Sequence, residues 1–362
     1  MKGDKKMEKV KVVQIGCGKM SKFTMRFVLE KGGLIVGAFD VNEDLIGKDI
    51  GEVMGLENEG IVISHINKLD EILKEVKPDV AIVTTMSFLN DISDVVRICV
   101  SNKVNVITTC EEAFFAENSN PVVFRNLDTL AKANEVTILG CGYQDIFWGN
   151  MITSICASTN KITKIKGSSS YNVEDYGIAL AKAHGAGLTP KEFDETIAIT
   201  NEMTEEERNK LMADSQFFPS YMWNVAGWLA KKLNLHINTI NQRCIPVITE
   251  KELESKTLNL TLSEGMVRGM RAVVTATTKE NIILEIECIG KVYTKEEEDI
   301  NDWTIFGEPT TNVLNTKPDT VLLTCADIVN RIPALIKAKS GFLSTADLNE
   351  PVYIVNSFNE YL

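Results

Sequence analysis

Histidine is scarce in this chain, and closely paired cysteines are missing. The 362 residues include three histidines, His65, His184 and His236, and eight cysteines scattered from Cys17 to Cys325. No two cysteines stand at the Cys-x-x-Cys spacing that is typical of zinc sites and redox pairs. We therefore expect no metal site, and we expect the cysteines to be small buried apolar residues in a reducing compartment.

Long apolar runs and an excess of positive charge are also missing. No run approaches the roughly 18 apolar residues that a membrane span needs. The charged segment 1–12 has no apolar signal-peptide core. The net charge of −12 disfavours binding to nucleic acid and to anionic membranes. The sequence thus predicts a cytoplasmic protein that acts on a small molecule, with no nucleic acid and no membrane as partner.

The first 145 residues alternate between strand and helix patterns. Helices are predicted at 22–30, 69–76 and 89–102. Apolar strands are predicted at 9–16, 34–40, 60–65, 79–85, 104–109 and 136–142. Near-continuous apolar strands with helices between them predict an α/β fold, a doubly wound parallel sheet of Rossmann type over residues 1–145.

Longer, alternating strands follow from residue 146 onward. They are predicted at 161–173, 236–248, 265–278 and 281–293, with a hairpin turn between the last two and a mostly helical stretch at 188–234. This pattern is typical of an α+β domain with a mostly antiparallel sheet, here assigned to residues 146–316.

The C-terminal segment 317–362 carries a further apolar helix. The sequence predicts that helix at 320–338 and a small strand at 351–355. The acidic run 295–302, just before this segment, is predicted to be a solvated loop.

Gly16 and Gly18 stand between the first strand and the first helix. Gly16 permits a tight turn, Gly18 lets the backbone approach a pyrophosphate, and Ser21 takes the place of the third glycine of a dinucleotide fingerprint. Asp40 closes the second strand 22 residues after Gly18, where a carboxylate binds the adenosine ribose. The pattern predicts NAD or NADP, with NAD favoured because a 2′-phosphate would meet the charge of Asp40, although Lys48 is near enough in sequence to soften that repulsion.

Further cofactor contacts are predicted along the glycine turn and after the fourth strand. The carboxyl ends of parallel strands face the ligand crevice in this class of fold. The predicted contacts are Cys17, Lys19, Met20, Thr84, Thr85 and Ser87. The alternative is a turn that binds no phosphate, with a threonine pair that merely closes the strand.

Two acids, Glu111 and Glu112, follow the fifth strand directly. A carboxylate at this edge of the sheet could hold a substrate ammonium, accept a proton or activate a water molecule. Alternatively, the acids only open a helix at its positive end. The loop after the sixth strand supplies predicted substrate contacts from the same edge: Tyr143, Gln144, Asp145 and Trp148.

His184 begins the glycine-rich segment "HGAGLTP" in the second half of the chain. It is a candidate proton shuttle or hydrogen-bond donor, and the alternative is a structural histidine. Three arginines, Arg243, Arg268 and Arg271, are candidates for binding a substrate carboxylate, and the sequence does not choose among them.

Five segments carry a resemblance to a known family: "VVQIGCGKMSKFTMR", "GAFDVNEDLIGKDIGEVMG", "VITTCEEA", "GCGYQDIFWGN" and "AHGAGLTP". They resemble the 2,4-diaminopentanoate dehydrogenase family and, more broadly, dihydrodipicolinate reductase-type oxidoreductases and native amine dehydrogenases. The resemblance implies a homodimer whose last helix packs back on the Rossmann domain. It also implies NAD(P)-dependent oxidative deamination of a small diamino acid at C4, with Glu111 as the catalytic acid and Glu112 as the second choice.

The sequence leaves other activities open. Many relatives read "NPG" after the sixth strand, where this chain has "GYQDIF", which puts the substrate pocket in question. One alternative is reduction of a cyclic imine. Another is a homoserine or semialdehyde dehydrogenase, the latter with Cys110 or Cys141 as its nucleophile. A third is an NAD(H)-binding sensor without turnover.

Overall fold

The computed structural model describes residues 9–214, 216–217 and 219–362. The chain divides into two units. The first comprises the chain up to Asn150 together with Asp319–Leu362, and the second is Met151–Pro318. Each unit has its own sheet, and no helix of the described residues is long and apolar enough to cross a membrane.

Runs of β-branched residues form most of the strands. In chain order the strands are β1 (Lys11–Ile15), β2 (Leu34–Asp40), β3 (Ile63–His65), β4 (Val80–Val83), β5 (Asn105–Thr108), β6 (Thr137–Gly140), β7 (Lys161–Asn172), β8 (Ile237–Ile248), β9 (Leu253–Ser255), β10 (Leu260–Leu262), β11 (Val267–Thr278), β12 (Ile283–Lys291), β13 (Ile300–Glu308), β14 (Thr311–Thr316) and β15 (Gly341–Ser344).

Amphipathic segments form the helices. In chain order these are α1 (Ser21–Glu30), α2 (Ile50–Met54), α3 (Leu69–Val76), α4 (Leu89–Ser101), α5 (Pro121–Ala133), α6 (Met151–Cys156), α7 (Ile178–Ala183), α8 (Pro190–Thr196), α9 (Glu205–Ala213), α10 (Tyr221–Lys232) and α11 (Thr320–Lys337). A 3₁₀ helix at Glu111–Asn118 and a π-helix at Asp145–Asn150 follow β5 and β6.

The sheet of the first unit is parallel throughout its described strands. Its order is β15-β6-β5-β4-β1-β2-β3, which confirms the predicted doubly wound sheet. The strand order reverses between β1 and β4. Ligands bind at such a switch point in open α/β sheets, beyond the carboxyl ends of the strands.

The strands of this sheet are buried on both faces. Alternation sends Val13 and Ile15 into one apolar cluster, with α3, α4 and α5, and sends Val12 into a second cluster, with α1 and α11. The C-terminal helix α11 is therefore part of the core of the first unit. All eight cysteines are buried and free of disulfides.

The seventh strand of the sheet does not come from the segment predicted for it. Residues 351–355 form no strand, and β15 at Gly341–Ser344 pairs with β6 instead. The prediction failed because Val352, Tyr353 and Val355 are exposed and only Ile354 is buried, so this apolar run has no face that could join a sheet. The residues of β15 are buried throughout.

The second unit contains a mixed sheet in the order β14-β13-β7-β12-β11-β8. Four of its five neighbouring pairs are antiparallel, and β7 with β12 is parallel. The predicted hairpin is present: Asn281 turns with φ +59° and β11 pairs with β12. The predicted acidic loop ends earlier than expected, because β13 begins at Ile300 and buries Trp303 against Gly167.

Candidate dinucleotide and substrate site

The turn that joins β1 to α1 lies against the end of β4. Gly16 has φ +87°, and a Cβ atom built on it would lie 2.7 Å from Cγ2 of Thr85 and 2.8 Å from the carbonyl oxygen of Thr84. A side chain at this position would therefore be strained and would clash. A Cβ atom built on Gly18 meets no protein atom within 4 Å. Protein atoms thus surround Gly16, whereas the space beside Gly18 is empty. A pyrophosphate could occupy that space at the start of α1.

The side-chain amide of Gln14 holds this turn through hydrogen bonds, a role that was not predicted from the sequence. Its side chain is fully buried in β1. Nε2 donates to the carbonyl oxygen of Gly16 at 3.0 Å and to Oγ1 of Thr84 at 2.8 Å, while Oε1 accepts from Oγ1 of Thr24 in α1 at 2.7 Å. One amide thus joins β1, β4 and α1. A glutamine inside the apolar run "VVQIG" was the signal that could have revealed it.

Asp40 lies beside the turn, and backbone donors fix its carboxylate. Oδ2 accepts from the N–H of Cys17 at 2.5 Å, and Oδ1 accepts from the N–H groups of Val41 and Asn42 at 2.7 and 2.8 Å. The structure therefore brings together the glycine turn and the acid that closes β2. These residues fit a dinucleotide whose adenosine ribose approaches Asp40.

The other predicted cofactor residues border the same turn or the end of β4. Lys19 and Thr85 are exposed, and Met20 and Ser87 are half-buried. Thr84 donates its hydroxyl to the carbonyl oxygen of Gly16 at 3.1 Å. Cys17 is buried, and burial, aided by the charge of Asp40, raises the pKa of its thiol to about 12. Cys17 thus offers a ligand its backbone and not a thiolate.

Glu112 is held by groups around the start of α4. Its Oε2 accepts from the backbone N–H of Leu89 at 2.7 Å, and its Oε1 accepts from Oγ of Ser119 at 3.1 Å. The residue is only 3% exposed. Burial raises the pKa of this carboxyl, and the hydrogen bonds oppose that shift. An acid at the N-terminus of α4 satisfies a backbone donor that the helix itself leaves unpaired.

Glu111 lies one residue earlier and is less enclosed. It is half-buried in the first turn of the 3₁₀ helix, next to the end of β5. Burial raises the pKa of its carboxyl, while hydrogen bonds from its own backbone and from Ser87 lower it. The carboxyl is therefore easier to protonate than an ordinary surface glutamate, a property that suits a group that transfers protons.

The loop after β6 is fastened to α11 by buried charges. Asp145 is fully buried, and its Oδ2 accepts from Nε of Arg331 at 2.7 Å. Asn150 donates to the other oxygen, Oδ1, at 2.9 Å. A substrate ammonium would reach Asp145 only by displacing Arg331. The structure thus gives the Asp145 carboxylate a partner within the first unit, and its contact with a substrate stays a prediction.

Asp327 of α11 completes the contact beneath this loop. Its Oδ2 accepts from Sγ of Cys141 at 2.8 Å and from the backbone N–H of Gly142 at 3.3 Å. Burial and the nearby Asp145 carboxylate raise the pKa of Asp327 well above its ordinary value, against the opposing charge of Arg331. Protonation of Asp327 is therefore easier than for an ordinary aspartate, while Asp145 is paired with Arg331.

Aromatic rings line the outer part of the same loop. Tyr143 stacks on Phe147 with ring centroids 4.5 Å apart and meets Trp148 edge-on at 5.8 Å. Gln144 is 7% exposed. The rings of Tyr143 and Trp148 thus lie in contact across the π-helical turn.

His184 pairs with Tyr171 in the second unit. Nε2 of His184 lies 2.7 Å from Oη of Tyr171, and Nδ1 lies 2.8 Å from the carbonyl oxygen of Leu180. Because a carbonyl only accepts, Nδ1 carries the proton and Nε2 accepts from the tyrosine hydroxyl. Burial lowers the pKa of His184 and keeps the ring neutral. A Cβ atom on Gly290 would lie 2.4 Å from the histidine ring, so the pair needs glycine there.

Two of the three arginines considered for a carboxylate already have acidic partners. Arg268 binds Glu297 at 2.6 Å, and Arg271 binds Glu287 at 2.6 Å. Arg243 is exposed on β8. The side chains of Arg268 and Arg271 are thus engaged within the second unit.

Neither cysteine considered as a nucleophile is activated. Burial raises the pKa of the Cys110 thiol well above its ordinary value, and the charge of Glu111 raises it further. The same holds for Cys141, where Asp327 and Asp145 add to burial. Because the thiolate is the reactive form, both side chains are poor nucleophiles. The geometry thus disfavours a semialdehyde dehydrogenase that works through either residue.

Two family models match this chain. Residues 147–362 match the model described as the 2,4-diaminopentanoate dehydrogenase C-terminal domain. Residues 10–113 match the model described as the N-terminus of dihydrodipicolinate reductase. Together the two matches cover the glycine turn, both glutamates and the whole second unit.

Known relatives align along the chain. It is 24% identical to the 2,4-diaminopentanoate dehydrogenase of Acetoanaerobium sticklandii over 98% of both chains. The structure of amine dehydrogenase from Mycobacterium smegmatis superposes with a TM-score of 0.82 and 32% identity, over 96% of this chain and 98% of that one. The 4-hydroxy-tetrahydrodipicolinate reductase of Methanocaldococcus jannaschii is 32% identical over 101 residues, which are 27% of this chain and 36% of the relative.

Proposed function

Because the chain belongs to the 2,4-diaminopentanoate dehydrogenase family, we propose that it oxidatively deaminates 2,4-diaminopentanoate to 2-amino-4-oxopentanoate and ammonia. It is an oxidoreductase of the amine dehydrogenase type whose fold binds NAD(P). The observation that carries the proposal is the half-buried Glu111 at the end of β5, whose raised carboxyl pKa suits proton transfer.

Glu111 is the proposed catalytic residue, because its neighbour is already engaged. Both oxygens of Glu112 accept hydrogen bonds within the first unit. For Glu111, burial raises the carboxyl pKa more than the hydrogen bonds from its own backbone and from Ser87 lower it. Its carboxylate can therefore take up a proton more easily than an exposed glutamate. In this assignment Glu112 orients the start of α4 and Glu111 meets the substrate.

A nicotinamide cofactor held by the glycine turn and Asp40 would supply the hydride acceptor for oxidation at C4. The residues of the chain act on the protons. Glu111 orients the C4 amine and then takes a proton from the water molecule that attacks the resulting iminium carbon. In the carbinolamine that forms, the hydroxyl proton moves to nitrogen, so that the C–N bond breaks, the C=O bond forms and ammonia leaves. The proton held by Glu111 returns to solvent. Holding amine and cofactor together supplies much of the rate enhancement, as at any site with two substrates.

NAD is the proposed preferred cofactor. The carboxylate of Asp40 is fixed by three backbone N–H groups, so it cannot easily turn away from a 2′-phosphate. The charge of Asp40 therefore opposes NADP, and its oxygens can still accept from ribose hydroxyls. Lys48, exposed eight residues later, is the residue that would permit use of both cofactors.

His184 is the proposed second proton-transfer residue, acting through Tyr171. Its ring is neutral and accepts from the tyrosine hydroxyl, so a proton lost by Tyr171 would pass to Nε2.

A homodimer belongs to the same proposal and rests on the family resemblance. Sedimentation of the purified protein measures the subunit number directly.

Absorbance at 340 nm tests the proposed reaction. Purified protein is mixed with NAD or NADP and a panel of substrates that contains 2,4-diaminopentanoate, homoserine, an aspartate semialdehyde and simple hydroxy acids. Growth of absorbance with the diamino acid, together with release of ammonia, is the expected result. Turnover of only alcohols or semialdehydes would contradict the proposal. Thermal stabilisation by NADH without turnover of any substrate would identify a sensor.

A further inference from the structure

Two N–H donors on the loop after β6 are buried without a hydrogen-bond partner in the described part of the chain. They are Nε2 of Gln144 and Nε1 of Trp148. Gln144 as a whole is only 7% exposed. Folded proteins satisfy nearly all buried donors, because each one that is left without a partner is costly. Two such donors on one loop therefore point to a ligand that supplies the acceptor.

The spacing of the two donors along the chain is close to one turn of a π-helix. Gln144 directly precedes the π-helix Asp145–Asn150, and Trp148 lies within it, four residues later. The wider turn of a π-helix brings residues four and five positions apart onto the same face. Tyr143 shows this spacing directly, since its ring touches those of Phe147 and Trp148. Short π-helical turns occur often at functional sites.

The loop that carries the donors is bound to α11 by hydrogen bonds. The backbone N–H of Tyr143 donates to Oγ1 of Thr324 at 3.1 Å, and Asp145 is bound to Arg331 at 2.7 Å. Both partners belong to α11. A ligand that binds here would not have to order the loop first, which favours affinity and specificity.

The chemistry of the donors selects the chemistry of the ligand. An indole N–H and an amide N–H₂ donate, so they bind an acceptor oxygen and not an ammonium group. The carboxylate of Asp145 in this loop is paired with Arg331, so its charge is balanced. An anionic acceptor oxygen is therefore compatible with this side of the sheet.

We propose that Gln144 and Trp148 together bind the carboxylate of the substrate. The inference rests on the proposed function, in which Glu111 at the end of β5 takes the C4 amine. Strands β5 and β6 are hydrogen-bonded neighbours, so their ends lie about 4.8 Å apart. A five-carbon amino acid is long enough to reach from one strand end to the other. The site thereby selects amines that carry an acid group over simple amines.

Kinetics with a matched pair of substrates tests the assignment. Gln144→Leu removes the amide, Trp148→Phe removes the indole N–H and keeps a smaller aromatic ring, and Gln216→Leu, on an exposed residue, is the control. The pair is 2,4-diaminopentanoate and 2,4-diaminopentane, which lacks the carboxylate. We expect KM for the acid to rise by about 10- to 100-fold in each site variant, as for loss of a hydrogen bond to a charged group. KM for the diamine and both values in the control stay unchanged.

Equal losses with both substrates would overturn the inference, because they would mark a structural role. Should Gln144→Leu fail to fold, Trp148→Phe alone decides the question, since it keeps the aromatic ring.

A binding measurement separates this inference from the proposed function. The fluorescence of enzyme-bound NADH is titrated with 4-oxopentanoate, a keto acid that needs no turnover to bind. Weaker binding in both site variants, with wild-type affinity for NADH, supports the carboxylate site even if no amine is turned over. Unchanged affinity for 4-oxopentanoate overturns it. Loss of affinity for NADH also overturns it, because the donors would then serve the nicotinamide carboxamide.

Discussion

The backbone N–H of Leu89 donates to Oε2 of Glu112 across 2.7 Å, so the second acid of the pair caps α4. Two adjacent glutamates thus have separate surroundings: Glu112 satisfies a helix terminus, and Glu111 remains half-buried at the strand end. Adjacent residues of the same chemistry can then be tested against each other with the same substitution.

Glu111→Gln is expected to lower kcat by about 10²- to 10⁴-fold, the usual range for loss of a general acid–base residue. Glu112→Gln is expected to retain most activity and to lower the free energy of unfolding by about 1 kcal/mol, because α4 loses the charge at its N-terminus. Turnover and urea denaturation of both variants measure the two effects. Near-normal kcat in Glu111→Gln would refute its catalytic role.

Glu111 also predicts an acid limb in the pH profile. As a base, its carboxyl must be ionised, and its pKa is raised from the ordinary glutamate value of about 4.3. We expect kcat/KM to fall as the pH drops through that raised pKa, at a pH above the ordinary value. The limb should vanish from the residual activity of Glu111→Gln. A limb that persists in this variant belongs to another group.

Gln14→Leu tests the amide beneath the glycine turn. The variant leaves the carbonyl oxygen of Gly16 and the hydroxyls of Thr24 and Thr84 without their common partner. We expect the free energy of unfolding to fall by about 1–3 kcal/mol. The Kd for NADH should rise while kcat at saturating cofactor stays near the wild-type value. A loss of kcat with unchanged Kd would contradict a role in positioning the turn.

Asp40→Ala should shift cofactor use toward NADP. The substitution removes the carboxylate and exposes the backbone N–H groups of Cys17, Val41 and Asn42, which can then bind a 2′-phosphate. We expect the ratio of kcat/KM for NADP to that for NAD to rise by about 10- to 100-fold. An unchanged ratio would show that Asp40 does not face the ribose.

Arg331→Met should destabilise the first unit strongly. The variant leaves the buried carboxylate of Asp145 without its counter-charge, which typically costs about 3–5 kcal/mol. Arg26→Met, which breaks an exposed pair with Glu30, is the control and should cost about 0.5 kcal/mol or less. Urea denaturation compares the two variants. Adding Asp145→Asn to Arg331→Met should recover part of the loss.

The parallel sheet could be read from the sequence because its strands are continuous apolar runs. β4 and β6 are buried at every residue, and the alternation with helices fixes the class of fold. The seventh strand, "GFLS", was not predicted because it is short and follows a long helix. A strand was predicted instead at "PVYIV", which is more apolar. Burial depends on distant packing and not on local composition alone.

The sequence predicted the candidate site only where the backbone conformation requires a particular residue type. Gly16 is required by its positive φ and by the closeness of Thr84, and such a demand is visible in sequence. The partner of Asp145 could not be predicted, because Arg331 lies 186 residues later in the chain. Side-chain pairs between distant segments leave no periodic signal, so sequence patterns do not show which of several acids is buried.

The first unit consists of two segments, and the second of these, Asp319–Leu362, is synthesised only after the whole of the second unit, Met151–Pro318. The edge strand β15, the helix α11 and Arg331 all belong to it. The parallel sheet of the first unit therefore cannot complete its core until the second unit has been synthesised. A premature stop near residue 318 would leave the glycine turn and Glu111 in the product, yet it would remove the helix that covers one face of the sheet on which they depend.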